Sequence, residues 1–269
     1  MRLGLETKIM GVINITPDSF SDGGKFLDPA RAEVAALRMQ DEGAHLIDLG
    51  AESSRPGAAG VGWREELARL LPVLKRLAPR LKVPLSVDTY KYEVAHAALD
   101  EGASLINDIT GLRSNKRLAK RIAQSGASVA LMHMQGTPRT MQKAPRYRNV
   151  VQDVKAALKH SAILARDAGI PVSRILIDPG FGFGKTAEHN FSLLSGLDEF
   201  SSLGYPVLVG LSRKSFLGDL LGLPIGQRLN VSVTAACAAI FGGAHLLRVH
   251  DVLAHRQASA VADRLMMRG

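Results

Sequence analysis

Short β-favouring runs alternate with longer helical patterns eight times along the 269 residues, and this alternation limits the possible folds more than any other feature. The runs are Lys8–Asn14, His45–Gly50, Pro84–Asp88, Ser104–Asp108, Val129–His133, Arg174–Asp178, Pro206–Leu211 and His245–His250, each followed by a loop and a helical stretch. A strand that leads through a helix to the next strand builds a parallel sheet with helices on its outer face. Eight such units predict a closed (β/α)8 TIM barrel, and the length suits one such domain, so residues 1–269 are read as a single unit without a linker.

The helical periods support this. Leu67, Leu70, Leu71, Leu74, Leu77 and Leu81 follow the three-four spacing of a helix packed on a sheet. Pro72 is expected to kink that helix or to stand near its start. Val151, Val154, Leu158 and Ala165 repeat the spacing, and Gly169 is placed to cap that helix.

Composition excludes several classes. The formal charge is +9, yet the 34 Lys and Arg residues are scattered along the chain and only 5% of residues are aromatic, so no basic stripe with stacking rings marks a nucleic-acid partner. The nearest approach to a membrane span, Thr234 to Leu247, is broken by Gly242, Gly243 and His245. The N-terminus has no apolar h-region, so a secretory signal is not expected. Cys237 is the single cysteine; it can form no intrachain disulfide, sits in an apolar helical stretch and reads as a small core residue in a cytoplasmic protein.

Polar groups recur where the strands end: Asn14, Asp48, Asp88, Asn107 with Asp108, His133, Asp178, Ser212 with Arg213 and Lys214, and Arg248 with His250. In a barrel of this kind the loops at the carboxyl ends of the strands build the active site, so these residues are expected to converge. Arg248 and His250 are two apart on a strand and share a face. Ser212-Arg213-Lys214-Ser215 leaves the seventh strand where a helix can begin, a corner suited to an anion. Asp88, Asn107 and Asp178 offer two carboxylates and an amide to a donor-rich heterocycle with an amino-pyrimidine edge.

The stretch Arg174 to Thr186, R-I-L-I-D-P-G-F-G-F-G-K-T, empties a strand into this region. Gly180, Gly182 and Gly184 allow close approach to a ligand or positive φ. The G-K-T ending resembles half of a phosphate loop, but Pro179 stands where its first glycine belongs. Asp178 has a second reading as a helix cap. A Ser/His/Asp triad from Ser212 or Ser215, His250 and Asp251 is conceivable but lacks a G-x-S-x-G elbow, and no H-E-x-x-H motif points to zinc. Magnesium held mainly by substrate phosphates needs one or two protein oxygens, for which Asn14 is the candidate.

These residues carry a resemblance to the dihydropteroate synthases from end to end. Met10–Gly24 (M-G-V-I-N-I-T-P-D-S-F-S-D-G-G) resembles that family's first signature and Asp48–Ala58 (D-L-G-A-E-S-S-R-P-G-A) its second; S-V-D-T-Y-K, I-N-D-I, L-M-H-M-Q-G-T-P, I-D-P-G-F-G-F-G-K-T, S-R-K-S-F-L-G and R-V-H-D-V follow. The resemblance implies condensation of 6-hydroxymethyl-7,8-dihydropterin diphosphate with 4-aminobenzoate, sensitivity to sulfonamides, and a homodimer. It places the pterin on Asp88, Asn107, Asp178 and Lys214, and the diphosphate with Mg²⁺ on Asn14, Arg248 and His250. Ser54 and Arg55 would close over the reacting centre, Asp22 would help to stabilise a cation there, and Phe20, Pro56, Phe183, Lys214 and Ser215 would frame the aminobenzoate. Ser54 stands where the family commonly has Thr, and Asn230 has no place in the family pattern. Two other readings are a pterin-dependent methyltransferase, which should lack the T-P-D-S-F and S-R-K-S-F segments, and a non-catalytic pterin-binding protein, which could lose Asn14, Arg55 and Arg248.

Overall fold

The computed structural model describes residues 6–16, 28–55 and 57–266. Phe20, Asp22 and Pro56 lie outside the described residues. The strands are β1 (Lys8–Asn14), β2 (Leu46–Gly50), β3 (Leu85–Asp88), β4 (Leu105–Asp108), β5 (Ser128–Met132), β6 (Ile175–Asp178), β7 (Leu208–Val209) and β8 (Leu246–Val249). All pair in parallel, in the order β6-β5-β4-β3-β2-β1-β8-β7. The bridge Ile177↔Val207 joins the ends of that order and closes the barrel.

The expected strand over Pro206–Leu211 is reduced to two residues. Pro206 has no N–H to donate, so its contribution is one accepted bond, Ile177 N–H to Pro206 O at 3.0 Å. Helices α1 (Pro29–Asp41), α2 (Trp63–Leu77), α3 (Tyr92–Asp100), α4 (Lys116–Ser125), α5 (Val150–Asp167) and α6 (Ala187–Ser195) follow the first six strands. The seventh unit has two, the short α7 (Ser215–Asp219) and then α8 (Leu229–Phe241), and α9 (Val252–Met266) follows β8.

Of the expected stripe, Leu70, Leu74 and Leu77 are buried on α2, joined by Val73, while Leu67, Leu71 and Leu81 are half-buried. Pro72 lies well inside that helix and not near its start; it costs one intrahelical bond on the exposed side, where water can replace it. Gly169 follows α5 with φ +95° and donates to Arg166 O at 2.8 Å, the expected end of that helix. Cys237 is half-buried and not the core residue its surroundings in sequence suggest.

Two apolar layers hold the barrel. The larger lies between strands and helices, and the smaller, made of Met10, Leu46, Leu105, Ala130, Leu176, Leu208 and Leu246, fills the interior. Side chains alternate in direction along a strand, so the residues two further on, Asp48, Asn107, Asp178 and Arg248, face inward above this plug. The same periodicity that packs the base aims the polar groups at the mouth.

Candidate active site

A cavity of about 380 Å³ opens at the carboxyl ends of the strands, a size that encloses a small organic ligand. Of the residues read as site candidates, Asn14, Ser54, Arg55, Asp88, Asn107, Phe183, Lys214, Ser215, Arg248 and His250 line it. Asp178 is buried just behind the wall, where its charge acts on Lys214. Ser212 and Arg213 line it as well, whereas Asp108 and His133 serve the protein itself. Asp108 points outward and accepts from the Thr110 and Leu112 amides at 2.7 and 2.8 Å, and His133 turns to Lys185.

The floor is an ion network. The Arg248 guanidinium donates from Nε to Asp48 Oδ2 at 2.7 Å and from Nη2 to Asp88 Oδ2 at 2.9 Å, while Ser86 Oγ donates to Asp48 Oδ1 at 2.5 Å. Arg248 is therefore engaged by carboxylates, not standing clear for an anion. Burial pushes Asp88 well above the usual carboxylate range, against the pull of Arg248 and with the repulsion of Asp48 added. Burial likewise raises Asp178 to about 6, although the Gly180 N–H donates to its Oδ1 at 2.7 Å. Lys214, also buried, is lowered to about 8 despite the attraction of Asp178, and its ammonium lies 4.2 Å from the centroid of the Phe183 ring. Asn107 Oδ1 is buried with no hydrogen-bond partner among the described residues. Asn107 lines the same cavity as Asp88, and its amide carries both an acceptor and donors for a ligand's polar edge.

At the anion corner, α7 begins at Ser215 directly after Lys214, as read from the sequence. Arg213 takes positive φ, 59°, and forks onto Asp251 with Nε to Oδ2 at 3.0 Å and Nη2 to Oδ1 at 2.7 Å. That pairing disposes of the triad: His250 Nδ1 lies 3.1 Å from Ser212 Oγ, but Asp251, the required third member, is held by Arg213. Burial lowers His250 to about 3, so its ring is neutral at pH 7.

Gly180, Gly182 and Gly184 all take positive φ, one of the two expectations for them, and Gly182 lines the cavity. Gly180 has φ +70°, and a Cβ there would sit 1.9 Å from His133 O, so the tight approach is to the neighbouring loop. Lys185, which resembled a phosphate-loop lysine, points inward. Its Nζ donates to Gly180 O at 2.9 Å and Phe183 O at 3.0 Å and lies 3.0 Å from His133 Nδ1. Burial lowers Lys185 to about 7 and His133 to about 2, so the imidazole is neutral and its Nδ1 faces the Lys185 Nζ. Thr186, not Asp178, caps α6, in a reciprocal box with His189.

Sequence reasoning did not single out Lys185 as a brace, or the apolar wall of Ile109, Met132 and Met141 beside Phe183. Period-two counting from Leu246 and Leu46 would have paired Arg248 with Asp48 on the inner face. The Lys185 contacts had no such signal, because they arise from loop geometry. Asn14 fits a hard cation: it is a neutral amide oxygen at the mouth, and among the described residues no three His, Cys, Asp or Glu cluster to hold a metal by themselves.

Residues 10–250 match the model of a family described as pterin binding enzyme. The dihydropteroate synthase of Escherichia coli K12 is 46% identical over 255 residues, covering 95% of this chain and 90% of its own. The Yersinia pestis dihydropteroate synthase, solved with a sulfonamide drug complex, superposes with a TM-score of 0.95 at 44% identity, covering 99% of this chain and 97% of the other. The Thermus thermophilus enzyme, solved in complex with 4-aminobenzoate, gives 0.88 at 48% identity, covering 97% and 96%. The orphaned amide, the buried acids and the lysine beside them thus stand in a chain that matches these enzymes along nearly its whole length, and the chain belongs to the pterin binding enzyme family.

Proposed function

We propose that this chain is a dihydropteroate synthase, joining 6-hydroxymethyl-7,8-dihydropterin diphosphate to 4-aminobenzoate and releasing diphosphate. The observation that carries the reading is the unpaired Asn107 Oδ1 between Asp88 and the buried Asp178. An aminopyrimidine edge presents N–H donors to acceptors of this kind, and an amide can return a donor to a ring nitrogen. Lys214 over Phe183 leaves an apolar face for a second aromatic ring, and Ser215 completes that side.

No protein nucleophile is required: the C–O bond at the pterin methylene breaks and diphosphate departs with its electron pair, and the aniline nitrogen of 4-aminobenzoate then adds to the methylene cation and gives up one proton. Arg55, Ser54 and His250 line the mouth where the leaving group's charge develops. Asn14 would hold Mg²⁺ together with diphosphate oxygens and water; the ion would supply charge neutralisation to the departing group. Asp22, Phe20 and Pro56 keep the roles that the family resemblance gives them. Sulfonamides would compete for the aminobenzoate site.

The assembly is a homodimer on this reading, supported by exposed Phe241 at the end of α8 and Leu253, Val261, Leu265 and Met266 on α9. The enzyme acts in the cytoplasm; no described helix is long and apolar enough to cross a membrane. The decisive experiment measures diphosphate release from the pterin diphosphate with Mg²⁺, with and without 4-aminobenzoate. Release coupled to dihydropteroate formation is expected; tight pterin binding without product would transfer the assignment to a binding protein.

A further inference from the structure

Residues 52–62, the loop after β2, carry Ser53, Ser54 and Arg55 into the cavity wall. A loop of this length costs conformational entropy to hold, and its arms act on the reaction only where they are fixed. The fixing is visible at its root. Glu52 Oε1 accepts the Val61 N–H at 2.9 Å, so the loop's first side chain closes on its far end, and Arg69 Nη1 donates from α2 to Ala51 O at 3.1 Å. The other oxygen of Glu52 pairs with Lys91 Nζ at 2.9 Å.

Lys91 is itself anchored. It also bonds Glu66, buried in the first turn of α2, and lies 5.0 Å from the centroid of the Tyr90 ring. Lys91 caps the start of α3, so one ammonium ties the loops after β2 and β3 to α2. Across the mouth, Gly57 N–H donates to Pro138 O at 3.0 Å, so the loop spans from its root to the loop after β5. Lys91 and Glu66 do not line the cavity.

We infer that Lys91 is a positioning residue for the chemical step: by bridging Glu52 to Glu66 it fixes the second loop so that Ser54 and Arg55 stand over the bond that breaks. The inference rests on the synthase reading above. The heterocycle's groups, Asp88, Asn107, Asp178 and Lys214, sit on strands or on other loops, so loss of the bridge acts on turnover and not on pterin affinity.

The test compares wild type, Lys91→Met, Lys91→Arg and Glu52→Ala by steady-state synthase kinetics, calorimetric titration with 6-hydroxymethyl-7,8-dihydropterin, which lacks the diphosphate that Arg55 would meet, and thermal melting. Lys91→Met should lower kcat at least about tenfold, the scale on which a misplacement of roughly 1 Å acts. Its pterin dissociation constant should stay within about threefold, well under the tenfold that 1.4 kcal/mol represents. Lys91→Arg, which can fork onto both carboxylates, should recover most of the turnover. Glu52→Ala leaves the Lys91–Glu66 pair in place and removes the side chain through which the loop's root holds both Lys91 and the Val61 N–H; it should reproduce the kcat loss with a melting temperature within a few degrees of wild type, even if Lys91→Met folds poorly. Wild-type kcat in Glu52→Ala, or pterin affinity falling in step with kcat in both variants, would overturn the inference. Absence of turnover in the wild type would instead indict the synthase reading.

Discussion

Asn107→Leu separates a binding role from a structural one because the two move in opposite directions. The side chain is 3% exposed and its Oδ1 has no partner among the described residues, so the free protein carries a desolvated acceptor. Such a group costs about 1–3 kcal/mol. Leucine keeps the branched shape, removes that cost, and has the cavity to expand into, so the fold should gain about 1–2 kcal/mol. For a chain of this size that raises the melting temperature by roughly 3–6 °C. The ligand loses both an acceptor and a donor, about 1 kcal/mol each, and is left with an unmatched polar edge at a further cost of about 1 kcal/mol or more. The sum, about 3 kcal/mol, weakens pterin binding roughly a hundredfold. Urea denaturation and calorimetric titration measure the two changes on the same preparation. A variant that is destabilised and binds pterin within threefold of wild type would refute the assignment, since the amide would then be a core group and not a socket.

Asp178→Asn should remove pterin binding while easing the fold. Burial raises the Asp178 acid to about 6 from 3.8, so its ionised form costs up to about 3 kcal/mol, a penalty that accumulates as pH rises through that window. The variant's stability advantage should therefore be present at pH 7 and should shrink towards pH 4 in chemical denaturation. Arg248→Met strands the fully buried Asp48 together with Asp88 and should destabilise by about 3 kcal/mol, with part of the loss recovered by adding Asp48→Asn. Lys185→Met unfastens two carbonyls of the glycine-rich loop; amide exchange at residues 180–184 should speed up and the KM for 4-aminobenzoate should rise, through Phe183.

Most of the barrel was legible because strands in a parallel sheet are buried on both faces and end at abrupt polar residues. The inner-face positions of Asp48, Asn107, Asp178 and Arg248 follow from counting by two from the apolar plug. The weak seventh strand was not legible in that way: Pro206 and Gly210 flank a run that looks apolar enough for a strand, and only the tertiary register shows that two residues pair. The partners of Arg213 and Lys185 were hidden for a related reason. A basic residue after a strand reads the same whether it faces a ligand, Asp251 or a carbonyl, and loop geometry alone decides among them.

The charge count in the floor explains where the anion must be met. Asp48, Asp88 and Asp178 stand against Arg248, Lys214 and Lys185, burial draws both Asp88 and Lys185 towards their neutral forms, and Arg248 uses Nε and Nη2 on two of the acids. Such a floor is close to neutral and suits an uncharged heterocycle whose polarity lies in its N–H edge. It has little charge left over for a diphosphate. On the proposed reading the compensation comes from the rim, where Arg55 on the second loop and Asn14, the proposed ligand of a cation, line the cavity. A rim built on loops must be held in register to act, and the Glu52–Lys91–Glu66 bridge does this at the expense of a buried carboxylate, Glu66, whose acid is pushed upward by its own burial. A protein that only bound the heterocycle would need the neutral floor but not this braced, cationic rim.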